Sequence, residues 1–239
     1  MSTPKVYNSA KEAVSDITSG SSLMSGGFGL CGIPENSIDA ISDLQINGLT
    51  VISNNIGNSG RGLVALLKKD MISSAICSYV GGNPDLESRM LKDEIKVTLV
   101  PQGTFSERIR AAGLGIRAFY TPTGHGTSVA LGKDEKMFDR PCILEKALHA
   151  DFAIIKAEIA DEYGNLYFKE TARNFSPLMA MAAKTTIVEV EKLVKIGELS
   201  PDQIHLPGIF VQRIYQGSNY KNDIEFKMTK KESGDSNED

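Results

Sequence analysis

The sequence contains no tryptophan and only three cysteines in 239 residues. Cys31, Cys77 and Cys142 are widely separated and odd in number, which gives neither a disulfide framework nor a metal knuckle. A reducing compartment is the expectation. The three histidines, His125, His149 and His205, show no ligand spacing, and H-E-x-x-H and C-x-x-C are both absent, so no metal site is expected. Basic residues are not in excess. With 26 Lys and Arg against 30 Asp and Glu, and a net charge of −4, the phosphate neutralisation that nucleic-acid binding requires is missing. No apolar run approaches the roughly 18 to 20 residues that span a bilayer, so no membrane partner is expected. The N-terminal stretch MSTPKVYNSAKEAVSDITSG has no basic segment leading into an apolar one, and it carries Glu12 and Asp16, unlike a secretory or transit peptide. The cytoplasm is the expected location, or the mitochondrial matrix if a presequence has been removed.

What is present is an ordinary globular composition, 41% hydrophobic and 23% charged, with length for one large domain. Short apolar runs alternate with amphipathic ones. SSLMSG, LTVIS (Leu49 to Ser53), ISSAICSYV and IKVTLV read as strands. Pro34 to Leu44, GLVALLKK, DLESRMLKD and SERIRAA read as helices, the first with proline in its opening turn. Such alternation predicts an α/β fold, a mostly parallel sheet with helices on both faces. After Gly113 the pattern loosens. FYTPTGHGTSVALGK reads as a long loop near the sheet, followed by strands at CILEKAL and DFAIIKAEIA and a turn at DEYGN. A helix at SPLMAMAAK and strands at TTIVEVE and GIFVQRI complete the pattern. No internal repeat is evident. From about Lys227 the chain becomes KMTKKESGDSNED, charged and almost without aliphatics, which predicts a disordered tail or linker over 227–239 behind a single domain at 1–226.

The stretch SGGFGLCGIPENS carries Gly27, Gly29 and Gly32 in G-x-G-x-x-G register between a strand and a helix. Glycines admit a phosphate close to the backbone, and the following helix offers unpaired N–H groups and a favourable dipole. The nicotinamide version also needs a carboxylate near the end of the second strand to hold the ribose. Here VISNN places Asn54 and Asn55 at that position. The loop is therefore a tight turn without a ligand, a site for another phosphate compound or, against the missing carboxylate, the NAD or FAD site of an oxidoreductase. A non-catalytic nucleotide-binding module is a further reading, of a different class.

GGFGLCGIPEN resembles the opening signature of the alpha subunit of family I CoA-transferases, in particular the 3-oxoacid (succinyl-CoA:acetoacetate) type. LTVISNN, SYVGGNP, VTLVPQGTFSERIRAAGLGIRAFYTPTGHGT, GNLYFKETARNF, MAMAAKTTIVEVE and IHLPGIFVQRIY resemble the same family in the same order, from about Lys11 to Ile224. The resemblance implies a transferase that moves coenzyme A between carboxylic acids by a ping-pong route, with no permanently bound cofactor and the CoA thioester as substrate. A glutamate does the covalent work. In the family it lies in a Ser-Glu-Asn-Gly motif on the beta subunit or on the second half of a fused chain. This chain has no such motif: Glu35 in IPENS belongs to the alpha signature. The resemblance thus implies half an enzyme, active with a beta subunit, with α2β2 stoichiometry expected.

By the same resemblance Gln102, in VPQGT, helps to hold the thioester oxygen; the alternative is a turn residue capping the helix that follows. The loop Gly26, Gly27, Phe28, Gly29, Leu30, Cys31 and Gly32 is assigned to coenzyme A, the alternative being a structural turn at the subunit interface. Asn54 and Asn55 end a strand of a parallel sheet, where ligands of α/β proteins gather. They are read as lining the acyl pocket, or else as satisfying loop backbone. Arg173 in ARNFS is a structural ion-pair candidate, and His125 is assigned no role. Two departures from the family pattern stand out. IGNSGRG (Ile56 to Gly62) replaces a stretch that commonly has cysteine or alanine and then acidic residues, and Ser176 replaces the usual Asn after ARNF. The first lies beside the implied acyl pocket and leaves the acceptor open among acetoacetate, 3-oxoadipate and short fatty acids.

Overall fold

A computed structural model describes residues 5–58, 60–222 and 224. The charged run expected to be a tail, 227–239, lies outside the described residues. The chain opens with two elements that the sequence pattern does not mark, β1 (Lys5–Val6) and α1 (Ala10–Ala13), and then follows the expected alternation: β2 (Ser22–Ser25), α2 (Glu35–Ser42), β3 (Leu49–Ile52), α3 (Val64–Lys68), β4 (Ile72–Cys77), α4 (Pro84–Leu91), β5 (Lys96–Leu99) and α5 (Gln102–Gly113). There follow β6 (Ala118–Thr121), β7 (Glu135–Met137), β8 (Pro141–Lys146), β9 (Ala150–Asp161), β10 (Leu166–Tyr167), α6 (Ser176–Ala182), β11 (Ala183–Val194) and β12 (Arg213–Gln216).

Among the described residues the main sheet has nine strands in the order β1-β12-β11-β9-β2-β3-β4-β5, with β10 folded back on β9. Neighbours along that order are parallel and only the β9–β10 pair is antiparallel. A parallel sheet is covered on both faces, and alternate residues of each strand go to opposite sides. Leu23, Val51, Ile154 and Ile187 pack with Ala13, Ile38, Leu66 and Leu86 of α1 to α4. Their neighbours Met24, Ile52, Ile155 and Val188 pack with Phe105, Ile109 and Met179 of α5 and α6 on the other face. This is the expected fold class. The long strands β9 and β11 pair from Ala150↔Ala183 to Asp161↔Val194 and form its spine.

Two expectations are corrected. FYT does not open a loop: Ala118–Thr121 is a strand, and it joins β8 and β7 in a separate antiparallel sheet of order β6-β8-β7. β6 and β7 are short and half or fully exposed, and a Gly- and Thr-rich segment separates β6 from its partners, so no alternation of burial marks them. The last strand is also later than GIFVQRI suggests. Gly208–Phe210 is a single 3-10 turn, and the strand begins at Arg213. Gly208 lies so close to the Tyr163 carbonyl that a Cβ would be 2.3 Å from it, and the Gln212 side chain accepts from Thr186 N at 2.6 Å. The backbone is held out of the sheet there.

Because the strands run parallel, the loops after β2, β3, β4 and β5 meet along one rim, beyond their C-terminal ends. In open α/β sheets this is where ligands bind.

Candidate active site

The loop after β2 is shaped by positive backbone angles and by close approach. Gly27 has φ +114° and Gly32 φ +71°, a region L side chains rarely enter. A Cβ on Gly32 would stand 2.5 Å from the Ala172 carbonyl, and one on Gly26 would stand 2.5 Å from Ser176 Oγ. Most of the loop's donors are already used. Gly26 N–H goes to Ile154 O at 3.0 Å, and Phe28 and Cys31 exchange N–H···O bonds of 3.0 Å. Gly27 N–H goes to Asn174 Oδ1 at 3.1 Å, and Gly29 N–H to Asn54 Oδ1 at 3.4 Å. Leu30 is buried, whereas Phe28 is 52% exposed. The loop offers an outside ligand an aromatic face and few N–H groups.

The helix behind the loop is closed to phosphate as well. Its N-cap is Pro34, which makes no side-chain cap. Instead the Glu189 carboxylate, from β11, accepts from Ser37 N at 2.7 Å, Asn36 N at 3.4 Å and Tyr215 OH at 2.8 Å. Glu189 is wholly buried, and burial pushes its carboxyl up to about 7 against the pull of those donors. A dinucleotide fold would bring the pyrophosphate to these N–H groups. Here a carboxylate of the chain itself holds them, and the ribose-binding position after β3 carries Asn54. The glycine register does not make a dinucleotide site.

The rim itself is built around Asn54, which is 5% exposed. Its Nδ2 donates to Ser78 Oγ at 2.9 Å and to Gln102 Oε1 at 3.1 Å. One side chain thus ties together the loops after β2, β3 and β4 and the start of α5. Gln102 occupies the first position of α5, after Pro101, and is exposed. No side chain caps that helix, and the N–H groups of its first turn have no partner within the helix. The rim therefore presents a side-chain amide beside a helix N-terminus, two devices suited to an oxygen that gains negative charge. Asn55 turns elsewhere: its Oδ1 accepts from Gly57 N at 3.3 Å.

The remaining candidates are dispersed. The Glu35 carboxylate accepts from Lys221 N and Asn222 N, each at 3.0 Å, so it holds the C-terminal segment. Arg173 is exposed. His125 faces Glu135 at 3.3 Å, and His205 accepts from Phe168 N through Nδ1 and stacks on Tyr167. Burial lowers the pKa of His205, with the nearby Arg173 charge acting the same way. Cys31, Cys77 and Cys142 are free thiols. Among the described residues no cluster of metal-ligating groups occurs, and no helix is long and apolar enough to cross a membrane. Two cavities lie near the glycine loop. One of about 420 Å³ is lined by Ile33, Glu35, Asp39 and Lys221, and one of about 330 Å³ by Gly32, Lys156, Lys169 and Glu191. Neither is lined by Asn54 or Gln102; the rim is open, flanked by Phe28 and the 54% exposed Tyr79.

Sequence reasoning missed the residues that act at long range. Asn174 holds the glycine loop from outside. Its Oδ1 accepts from Gly27 N and Phe175 N, and its Nδ2 donates to the carbonyls of Cys31, Thr171 and Ala172. Its backbone, at φ +24° and ψ −119°, lies outside the left-handed helical well, a strained position that these bonds hold in place. In the sequence the charge of the neighbouring Arg173 is the more conspicuous feature. Ser78 and Glu189 also lie inside the family-like blocks without a local sign of their role, since nothing nearby marks a strand glutamate as the cap of a distant helix.

A coenzyme A transferase family model matches residues 7–217. The chain is 51% identical over 227 residues to a succinyl-CoA:3-ketoacid coenzyme A transferase subunit of Helicobacter pylori, covering 95% of this chain and 98% of that one. It is 48% identical over 217 residues to a 3-oxoadipate CoA-transferase subunit of Pseudomonas putida, covering 88% and 92%. In fold it is similar to a crystal structure of an acyl-CoA transferase from Escherichia coli O157:H7, with TM-score 0.81 at 24% identity. The match covers 90% of this chain and 48% of that one. With the family model spanning residues 7–217 and half of the residues identical over nearly its whole length, the chain belongs to the coenzyme A transferase family.

Proposed function

We propose that this chain is the alpha subunit of a 3-oxoacid CoA-transferase, which moves coenzyme A from succinyl-CoA to a 3-oxoacid such as acetoacetate and works only with a beta subunit. The observation that carries the reading is the 51% identity to one subunit of such an enzyme over practically the whole length of both chains. The glutamate nucleophile comes from the beta subunit. Its carboxylate oxygen attacks the thioester carbonyl carbon, the C–S bond breaks, and the CoA thiolate leaves an acyl-glutamyl anhydride. The thiolate then attacks the glutamyl carbonyl, releasing succinate and leaving a CoA thioester on the enzyme. The acceptor acid reverses these steps.

In this reading Gln102 is the catalytic residue that this chain supplies. Its amide N–H and the N-terminal end of α5 meet the thioester oxygen as it becomes an oxyanion. Asn54 and Asn55 border the acyl group. The loop Gly26–Gly32 meets the thioester end of coenzyme A through Phe28 and its backbone, while the phosphates are held by the beta subunit. The spent N–H groups of the loop and the Glu189 cap on α2 support that division. The reading brings two copies of each subunit together in the cytoplasm, or in the mitochondrial matrix if a presequence precedes this chain.

The 48% identity to a 3-oxoadipate enzyme favours one second reading, with 3-oxoadipate as acceptor. Assays of the complex with succinyl-CoA and acetoacetate, 3-oxoadipate or short fatty acids separate the two. We expect acetoacetate to give the highest kcat/KM. A preference for 3-oxoadipate by tenfold or more, about 1.4 kcal/mol in transition-state binding, would move the assignment to the second reading.

A further inference from the structure

The rim decides more than where Gln102 stands: it decides which end of its amide faces outward. An amide can be turned end for end with little change of shape, so its neighbours set its polarity. Asn54 has two such neighbours. Its Oδ1 faces the Gly29 N–H, which can only donate. Its other terminus faces Ser78 Oγ, and the single proton of that hydroxyl goes to the Asn54 carbonyl at 3.1 Å, so Oγ accepts from the side chain. Both contacts demand Nδ2 toward Ser78. One Nδ2 proton goes to Ser78 and the other to Gln102 Oε1. Gln102 must then turn its oxygen inward and its NH2 outward, and among the described residues nothing accepts from that NH2.

We propose that Asn54 is a positioning residue that fixes the polarity of the Gln102 amide, so that its donor end and not its oxygen faces the thioester oxygen. The inference rests on the reading of Gln102 as the oxyanion donor. A donor aimed in advance loses nothing to reorientation as the charge develops, whereas an outward oxygen would repel that charge. The chain of determination runs from the Gly29 backbone and the Ser78 hydroxyl through Asn54 to Gln102, and three loops converge on it.

The test is a double-mutant cycle in the complex with the beta subunit. It reads kcat and KM for succinyl-CoA across pH, with a melting curve on each sample. Gln102→Ala is expected to lower kcat by about 10²- to 10³-fold with little change in KM. Asn54→Asp keeps the shape and the acceptor for Gly29, but its second oxygen draws the Gln102 NH2 inward. It is expected to lower kcat by a similar factor, and adding Gln102→Ala to it should cost less than about threefold more. Its activity relative to the wild type should recover as pH falls, because a protonated carboxyl can again donate to Oε1. Asn54→Ala leaves the amide free to turn and should lose about tenfold with the same coupling. An unchanged kcat in Gln102→Ala would remove the oxyanion reading and this inference with it. A full loss in Gln102→Ala, with Asn54 losses that multiply with it, lie in KM or ignore pH, would keep the reading and overturn the inference. If Asn54→Asp fails to assemble, the Asn54→Ala cycle decides by the same coupling.

Discussion

Glu189 receives two backbone N–H groups and a tyrosine hydroxyl, yet it has no contact with water, and desolvation outweighs the donors. The folded state therefore holds its proton more tightly than the unfolded chain, with a pKa near 7 against an ordinary 4.5. By linkage its contribution to stability is intact below pH about 4.5 and is lost as pH rises through about 7. Glu189→Gln cannot titrate and brings donors up against the N–H groups of α2. It should melt below the wild type at pH 5, and the gap should narrow as pH rises to 8. Melting curves of both proteins over that range measure it; a gap that stays constant would mean that this carboxyl does not titrate there.

At the scale of elements, the loop after β2 is held by a side chain far along the chain. Asn174 supplies an acceptor for Gly27 N–H and an NH2 shared among three carbonyls, and it does so from a strained backbone position. Asn174→Ala removes the bonds that hold this strained position, which should cost about 2 to 3 kcal/mol. For a domain of this size that is a fall in Tm of roughly 5 to 10 °C, readable by calorimetry. A change under about 1 °C would mean that the loop holds its own shape. The same long range explains what the sequence could and could not disclose. Strands β2, β3, β4, β9 and β11 were legible because a sheet covered on both faces needs near-continuous apolar runs. β6 and β7 were not, since exposed edge strands carry no such signature. The glycine loop was legible as a turn, but its use was not. Whether its N–H groups await a phosphate depends on Asn54, Asn174 and Glu189, and no local pattern reports that they have been taken. Gln102 is singled out by the motif around it; its hydrogen bond from Asn54 could be read only from coordinates.

At the scale of the whole molecule, the candidate site is open. Gln102, Phe28 and Tyr79 face outward on the rim, and neither of the two cavities near the glycine loop reaches Asn54 or Gln102. Oxyanion stabilisation gains most from a site closed to water, so the proposed role of Gln102 calls for a partner that completes the rim from outside. The carboxylates of Glu35 and Glu189 are both engaged in holding backbone. An obligate partner that completes the site should bury roughly 2,000 Å² or more in total, and co-expression should give a stable heteromer by light scattering. The most direct measurement is CoA exchange from succinyl-CoA to acetoacetate by the purified chain, alone and after reconstitution with the beta subunit. No exchange above buffer is predicted for the chain alone, and full turnover for the complex. Robust turnover by the isolated chain would contradict the half-enzyme reading.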